Sequence, residues 1–347
     1  MSGVDCGAEV TLVVPGLLGP MPGWLQATDT PRFPQLERRL ATADRERTTG
    51  GEMEAVLCHL FGVAREPEGD LPVAALMRLG EGKAPDRRCW VLAEPVCLRP
   101  DQSRLLLFDT LDFDLGEAGS RDLAELFRSH FDERGWVLET GSPARWYLGM
   151  ERVPALQTHF LGEVFGRNMD LFLPRGGERL AWHRLLNEVQ MLFFQAEVNQ
   201  RREAQGRMPV NGIWFSGVGR LPARVRAPFD MVHGDAPLLR GLALAAGIPL
   251  AALPAKGELP ADGVRRPLLL YPGLRRAVWT ADPHAWAEGL EGFGSWLSCW
   301  IDAVRRRRFQ AITLYSCDGF RWRITRSTLR RWWRRPRPLL DLSRDSA

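Results

Sequence analysis

Residues 210–222, VNGIWFSGVGRLP, run a short apolar strand into a pair of glycines, and the reading of that pair decides what the fold can be. Glycine lets backbone N–H groups approach an anion closely, so Gly217 and Gly219 have the spacing of a phosphate or dinucleotide loop. A dinucleotide fingerprint needs a third glycine and a helix opening beneath the pyrophosphate, whereas Arg220, Leu221 and Pro222 follow here. A Rossmann site is therefore excluded. Two readings remain: a turn that holds an anion, or a sharp turn that ends a buried strand.

Outward from this stretch, strands and helices alternate. VTLVV (10–14) reads as a first buried strand, and the Gly/Pro-rich PGLLGPMPGW as the loop at its carboxyl end, where open α/β sheets place their sites. FPQLERRLATAD, GEMEAVLCHLFG and LPVAALMRLG carry helical spacing, the last closed by Gly80. CWVLAEPVCLRP and RLLLFD read as strands joined by the polar turn PDQS; DLAELFRSHFDERG reads as an amphipathic helix ending at Gly135, with strands in WVLET and RWYLGM after it. This β-β-α-β-β run, residues 88–150, is compact enough to be an inserted α+β domain, leaving 1–87 and 151–347 as an α/β domain. GERLAWHRLLNEVQMLFFQAEVNQRREAQG predicts one long helix feeding the opening strand, DAPLLRGLALAAG a helix N-capped near Asp235, and RPLLLYPG a strand. DPHAWAEGLEGFGSWLSCWIDAVRRRR predicts a long helix with its tryptophans on or near one face, and SCDG a hairpin turn between FQAITLY and FRWRITR. The fold class is α/β, a mixed sheet flanked by helices with a small α+β insertion.

With 347 residues, 45% of them apolar, the chain can fill a large core. Its longest apolar runs fall well short of the roughly 20 residues that a membrane-spanning helix requires. Acids stand near the N-terminus where a secretory leader has basic residues, so the expectation is a cytoplasmic protein. The six cysteines lie far apart with no C-x-x-C pair, which reads as small core residues rather than a zinc ribbon or disulfide scaffold. From Ile301 onward there are 13 arginines, no lysine and 4 aspartates, a net +9, so the first 300 residues carry −5 of the overall +4. In AVRRRRFQ and TRSTLRRWWRRPRPLL, arginine alternates with tryptophan as on a nucleic-acid or anionic-membrane surface; a solvated last helix is the plainer reading.

Several stretches in one order carry a family resemblance: TPRFPQLERRLA, LPVAALMRLGEGKAPDRRCWVLAEPVCLRPDQSRLLLFD, SPARWYLGM, EVNQRREAQGRMPVNGIWFSGVGRLP and GDAPLLRGLALAAGI. Together they resemble the archaeal-type cofactor-independent phosphoglycerate mutases of the alkaline-phosphatase superfamily, in particular a bacterial branch described as RpfE-type regulatory proteins. The resemblance implies an alkaline-phosphatase-like α/β domain with two divalent metal ions, manganese or another, and a serine nucleophile, and an inserted domain that grips phosphate and carboxylate. It also implies phosphoryl transfer through a phosphoserine.

The reacting groups do not carry over. The family's first metal-binding aspartate, in an Asp-Gly pair after the first strand, corresponds to Pro15-Gly16. Its nucleophile, in a serine-aspartate pair opening the helix matched by GDLPVAALMRLG, has only Asp70 here, because residues 50–102 contain neither serine nor threonine. His233 and Asp235 are the nearest candidate metal pair, and a helix cap suffices for Asp235. His59, His130, His159, His183 and His284 lack the clustering that a dinuclear centre needs, so no catalytic or metal residue is assigned. Substrate-handling positions survive better: Arg145, Asn199, Asn211, Gly217, Gly219 and Arg220 match anion-gripping positions, placing the glycine turn at the carboxyl edge of a core strand. The reading is a non-catalytic, mutase-like regulatory or binding protein without a cofactor, taking a small anionic ligand or a protein partner. The alternative is an active metal-dependent mutase or phosphatase with a site that these matches do not reveal.

Overall fold

The computed structural model describes residues 7–19, 31–48, 51–65, 69–109, 114–256 and 258–344, so Cys6 and positions 20–24 of the Gly/Pro-rich loop fall outside it. Its strands are β1 (Glu9–Val13), β2 (Asp44–Arg47), β3 (Cys89–Asp101), β4 (Arg104–Asp109), β5 (Val137–Ser142), β6 (Arg145–Met150), β7 (Gly212–Arg220), β8 (Met231–His233), β9 (Leu250–Ala251), β10 (Pro267–Leu270), β11 (Ala311–Tyr315) and β12 (Phe320–Thr325). Its helices are α1 (Pro34–Thr42), α2 (Met53–Leu60), α3 (Val73–Gly80), α4 (Gly116–His130), α5 (Leu161–Val164), α6 (Arg179–Phe194), α7 (Glu197–Ala204), α8 (Pro237–Ala246), α9 (Arg275–Trp279), α10 (Pro283–Arg305) and α11 (Leu339–Arg344). The mixed α/β class read from the sequence is present. Two compact units make up the chain, residues 1–62 with 225–347, and residues 63–224.

In the first unit, seven strands form one sheet in the order β2-β12-β11-β1-β10-β8-β9. β11, β1, β10, β8 and β9 run parallel, and β12 lies antiparallel between β11 and β2. The non-sequential order forces helical crossovers, and α10 supplies the main one. Its Trp286, Leu290, Phe293, Leu297, Trp300 and Val304 recur at helical spacing and are all buried in one cluster with β1, β11 and β12. Asp282 caps this helix, accepting from the N–H of His284 and of Ala285 at 3.0 Å each, with Pro283 opening the first turn.

The second unit holds a five-stranded antiparallel sheet centred on β3. Along its first half β3 pairs with β6 on one side and β7 on the other, and its second half pairs with β4. Helices α4 and α6 cover one face, burying Leu123, Phe127, Trp182, Leu185, Val189 and Phe193 against Cys89, Val91, Ala93, Trp146 and Phe215. This compact unit, 63–224, is wider than the 88–150 segment read as the insertion. Without β7, one edge of β3 would be left unpaired, and without α6 half of the core cover would be missing.

Two local expectations are corrected. The long helix is two, because Ala196 is extended (ψ 132°) and the Asn199 amide takes over the end of α6, donating to Phe193 O at 2.7 Å and Val210 O at 2.8 Å. Asp235 does not cap α8: the cap position is Ala236, no side chain bonds there, and Pro237 at the first helical position dispenses with one donor.

Candidate functional site

The glycine pair does not end a strand. β7 continues through it to Arg220, and the pairing with β3 slips by one residue, Trp90 facing Gly219 and Leu92 facing Ser216. The extra residue is a bulge in which Gly217 adopts φ +65°, a conformation open to glycine. A Cβ on Gly217 would stand 3.0 Å from Val73 Cβ and 3.2 Å from Ala74 N, and one on Gly219 2.7 Å from Pro72 Cβ. Both glycines therefore exist so that β7 can lie against the first turn of α3. Their close approach is to protein, and Ser216 beside them is fully buried with its hydroxyl unpartnered among the described residues.

Asp70, just before α3, ties this contact together. The Gly217 N–H donates to Thr158 Oγ1 at 3.0 Å, and the Thr158 hydroxyl donates in turn to Asp70 Oδ2. Asp70 also accepts from the N–H of Thr158 (3.1 Å) and of Leu71 (2.8 Å), with the Arg65 guanidinium 3.6 Å away. Burial holds the Asp70 carboxyl above the usual range, against the pull of the Thr158 and Leu71 bonds. A raised carboxyl stabilises the fold fully below the ordinary carboxylate pKa and loses that contribution as pH rises through the folded value. The stability difference between the wild type and Asp70→Asn should accordingly shrink as pH rises from about 4 towards neutrality. Urea unfolding over a pH series measures it, and a difference that grows with pH would contradict the dominance of burial.

The remaining residues read from the sequence all have protein partners. Arg145 on β6 grips Glu81 through Nε at 2.7 Å and Nη2 at 2.5 Å, and the Tyr147 hydroxyl donates to the same carboxylate at 2.8 Å. Asn211 prolongs the β3–β7 ladder with its side chain, accepting from Leu98 N–H at 2.7 Å and donating to Leu98 O at 2.9 Å. Asn199 is buried between α6 and Val210, and Arg220 donates to Glu151 O at 2.6 Å. Arg145, Gly217, Gly219 and Arg220 share one sheet on β6 and β7, with Asn211 just before β7, while Asn199 serves the helix break.

At the carboxyl end of β1, the described residues do not fit a metal ion. Gly16 stands at φ +85°, a Cβ there would come within 2.9 Å of Leu274 O, and its own carbonyl accepts from the Trp286 indole at 2.9 Å. Leu17, Leu18 and Leu274 seal the position with apolar surface. Nearby, Arg275 in α9 holds Glu54 of α2 at 2.7 and 2.9 Å. Among the described residues, no group of three or more His, Cys, Asp and Glu is arranged to hold a metal ion. His130 meets Glu188 at 3.0 Å and His159 meets Glu163 at 2.7 Å, an i,i+4 pair overlooked in the sequence. His183 bonds Pro174 O, and buried His233 bonds Ala252 O through Nδ1.

A cavity of about 560 Å³ opens in the second unit between the turn after α4, the end of β6 and the first turns of α6. Trp136, Trp182, Met150, Pro154 and Leu185 form its apolar wall. The two indole rings stack at 6.4 Å with an angle of 19°, and neither N–H has a partner among the described residues. Two arginines stand at the rim. Arg134 lies over Trp136 at 4.8 Å and reaches Glu188 at 3.2 Å, and Arg152 makes two bonds to Glu178 at 2.7 and 2.6 Å. Volume, aromatic wall and a few polar groups are the ordinary makings of a small-molecule site.

By sequence, no described protein family and no curated protein matches the chain. By structure, the chain is similar to the PH0037 protein from Pyrococcus horikoshii, with 14% identity, 92% of this chain and 87% of that one covered, and a TM-score of 0.50. What this likeness shows is a shared fold. It is also similar, at a TM-score of 0.40 and 15% identity over 92% of this chain and 89% of that one, to the cofactor-independent phosphoglycerate mutase from Thermoplasma acidophilum. The mixed α/β fold expected from the resemblance is thus the fold the chain has. The cavity was not legible in the sequence, because Trp136 and Trp182 stand far apart in the chain and meet only through the pairing of α4 and α6 on one sheet face.

Proposed function

We infer that this is a phosphoglycerate mutase-like protein that does not catalyse, and that it binds a small anionic ligand in the cavity of residues 63–224. The non-catalytic reading rests on the end of β1: where the family resemblance calls for a metal-binding carboxylate, Gly16 is enclosed by Leu274 and Trp286. Asp70, the remnant of the nucleophile pair, is engaged by Thr158, Leu71 and Arg65 and has no hydroxyl beside it in sequence to take up a phosphoryl group. The regulatory, RpfE-type role comes from the sequence resemblance alone.

The binding reading is supported by the cavity rim. Both rim arginines are charge-paired to carboxylates at the surface, and a phosphate or carboxylate can replace Glu178 on Arg152 by exchanging one anion for another, with the unpartnered indole N–H groups as further donors. Incubation of the protein with manganese and 3-phosphoglycerate should give no 2-phosphoglycerate above the buffer control. Titration with 3-phosphoglycerate should quench tryptophan fluorescence, with affinity falling roughly tenfold in Arg152→Ala. Turnover would overturn the non-catalytic reading, and a quench unaffected by Arg152→Ala would overturn the assignment of the cavity.

A further inference from the structure

The stretch RWWRRPR, residues 331–337, places two adjacent tryptophans in solvent: Trp332 is 77% exposed and Trp333 63% exposed. Burying an indole is among the larger apolar gains open to a side chain, so two left out together need an explanation that a single surface residue would not. Looseness does not provide it, because the segment is fixed at both ends. Arg331 pairs with Asp44 and donates to Thr42 O at 3.4 Å, Arg334 donates to Ala43 O at 3.0 Å, and Arg38 of α1 donates to Arg334 O at 3.3 Å. Beyond it, Leu339 and Leu342 of α11 are buried in the core of the same unit.

The exposed side chains that follow the indoles in the chain carry positive charge. Arg334, Arg335 and Arg337 are exposed beside them and Arg38 joins from α1, while Arg335 has no partner among the described residues. Of the carboxylates nearby in the fold or chain, Asp44 is engaged by Arg331 and Asp302 by Arg305, and Asp341 has a partner of its own. We propose that this turn is a docking surface for an anionic lipid bilayer, Trp332 and Trp333 entering the headgroup region and the arginines meeting lipid phosphates. Tryptophan beside arginine is the pairing that the membrane interface accommodates, the ring taking the half-apolar depth and the guanidinium the charged layer above. Single-stranded nucleic acid, the other polyanion that takes tryptophan, fits this geometry less well. The rings stand 85° apart, so they cannot offer parallel faces to successive bases, and the residues form a protruding turn rather than a groove. No helix among the described residues is long and apolar enough to cross a membrane, so the contact is peripheral.

The test is co-sedimentation of the full chain with vesicles of phosphatidylcholine alone and with about 30 mol% phosphatidylglycerol, together with fluorescence titration of a single-stranded oligothymidylate. Binding is expected to the anionic vesicles and not to the neutral ones, with a blue shift of tryptophan emission. It should fall about tenfold or more in Trp332→Ser/Trp333→Ser, and severalfold in Arg335→Glu or on raising salt. Since these side chains are exposed, circular dichroism of the variants should match the wild type. Equal sedimentation with both vesicle types, or anionic binding unchanged in the tryptophan variant, would overturn the proposal. So would oligothymidylate binding without vesicle binding, which would assign the turn to nucleic acid.

Discussion

Gly217→Val is expected to destabilise the protein by about 4 kcal/mol, and Gly217→Ala by about half as much. Two independent effects add. A β-carbon at φ +65° pays the left-handed backbone penalty of roughly 1–2 kcal/mol, more for a branched side chain. That carbon also arrives 3.0 Å from Val73 Cβ and 3.2 Å from the Ala74 backbone nitrogen, where relief requires either α3 or β7 to move, an overpacking worth about 1–3 kcal/mol. Movement of β7 in turn lengthens the Gly217–Thr158 bond and so disturbs the acceptors around Asp70. Urea unfolding with and without phosphate separates this account from the anion-loop reading. If the glycine served an anion, phosphate would stabilise the wild type and not the alanine variant.

The same glycines show where sequence reading stops. The spacing in SGVG was legible, and so was the need for close backbone approach; what approaches was not, because Val73 and Pro72 lie about 140 residues upstream and meet Gly217 and Gly219 only in the folded chain. Elements set by local chemistry were read with nearly their observed bounds. β1, α1, α3 and the β11–β12 hairpin each carry their own periodicity and turn residues, and the cap of α10 is visible as Asp282-Pro283. Elements decided by distant partners were not. The break after α6 depends on Asn199 reaching Val210, and the extent of the second unit depends on β7 pairing with β3. Arg145 is the clearest case among the candidate site residues. A guanidinium in SPARWYLG suggests an anion, and the structure sets Arg145 on Glu81 of the same chain, 64 residues away, a pairing that no local spacing announces.

Arg275→Ala should be the most damaging charge substitution in the first unit, with a loss of about 3–5 kcal/mol. Arg275 closes on Glu54 with two bonds, places its guanidinium 4.3 Å from the Trp279 ring centre, and donates to the Met53 sulfur at 3.6 Å. The Glu54 side chain is only 11% exposed, so alanine at 275 would leave a nearly buried carboxylate with its main cation gone. The pair itself need not be a net stabiliser, since taking both charges out of water offsets much of their attraction. Arg275→Met combined with Glu54→Leu is therefore expected to recover most of what Arg275→Ala loses, ending within about 1–2 kcal/mol of the wild type. Urea unfolding of the three variants decides it. If the double variant is as unstable as the single one, the bonds to Met53 and Trp279 or the packing of α9 against α2 carry the stability, and the ion pair does not. If it recovers, Arg275 and Glu54 hold their place by packing as well as by charge, and the penalty of Arg275→Ala is that of a carboxylate left without its cation.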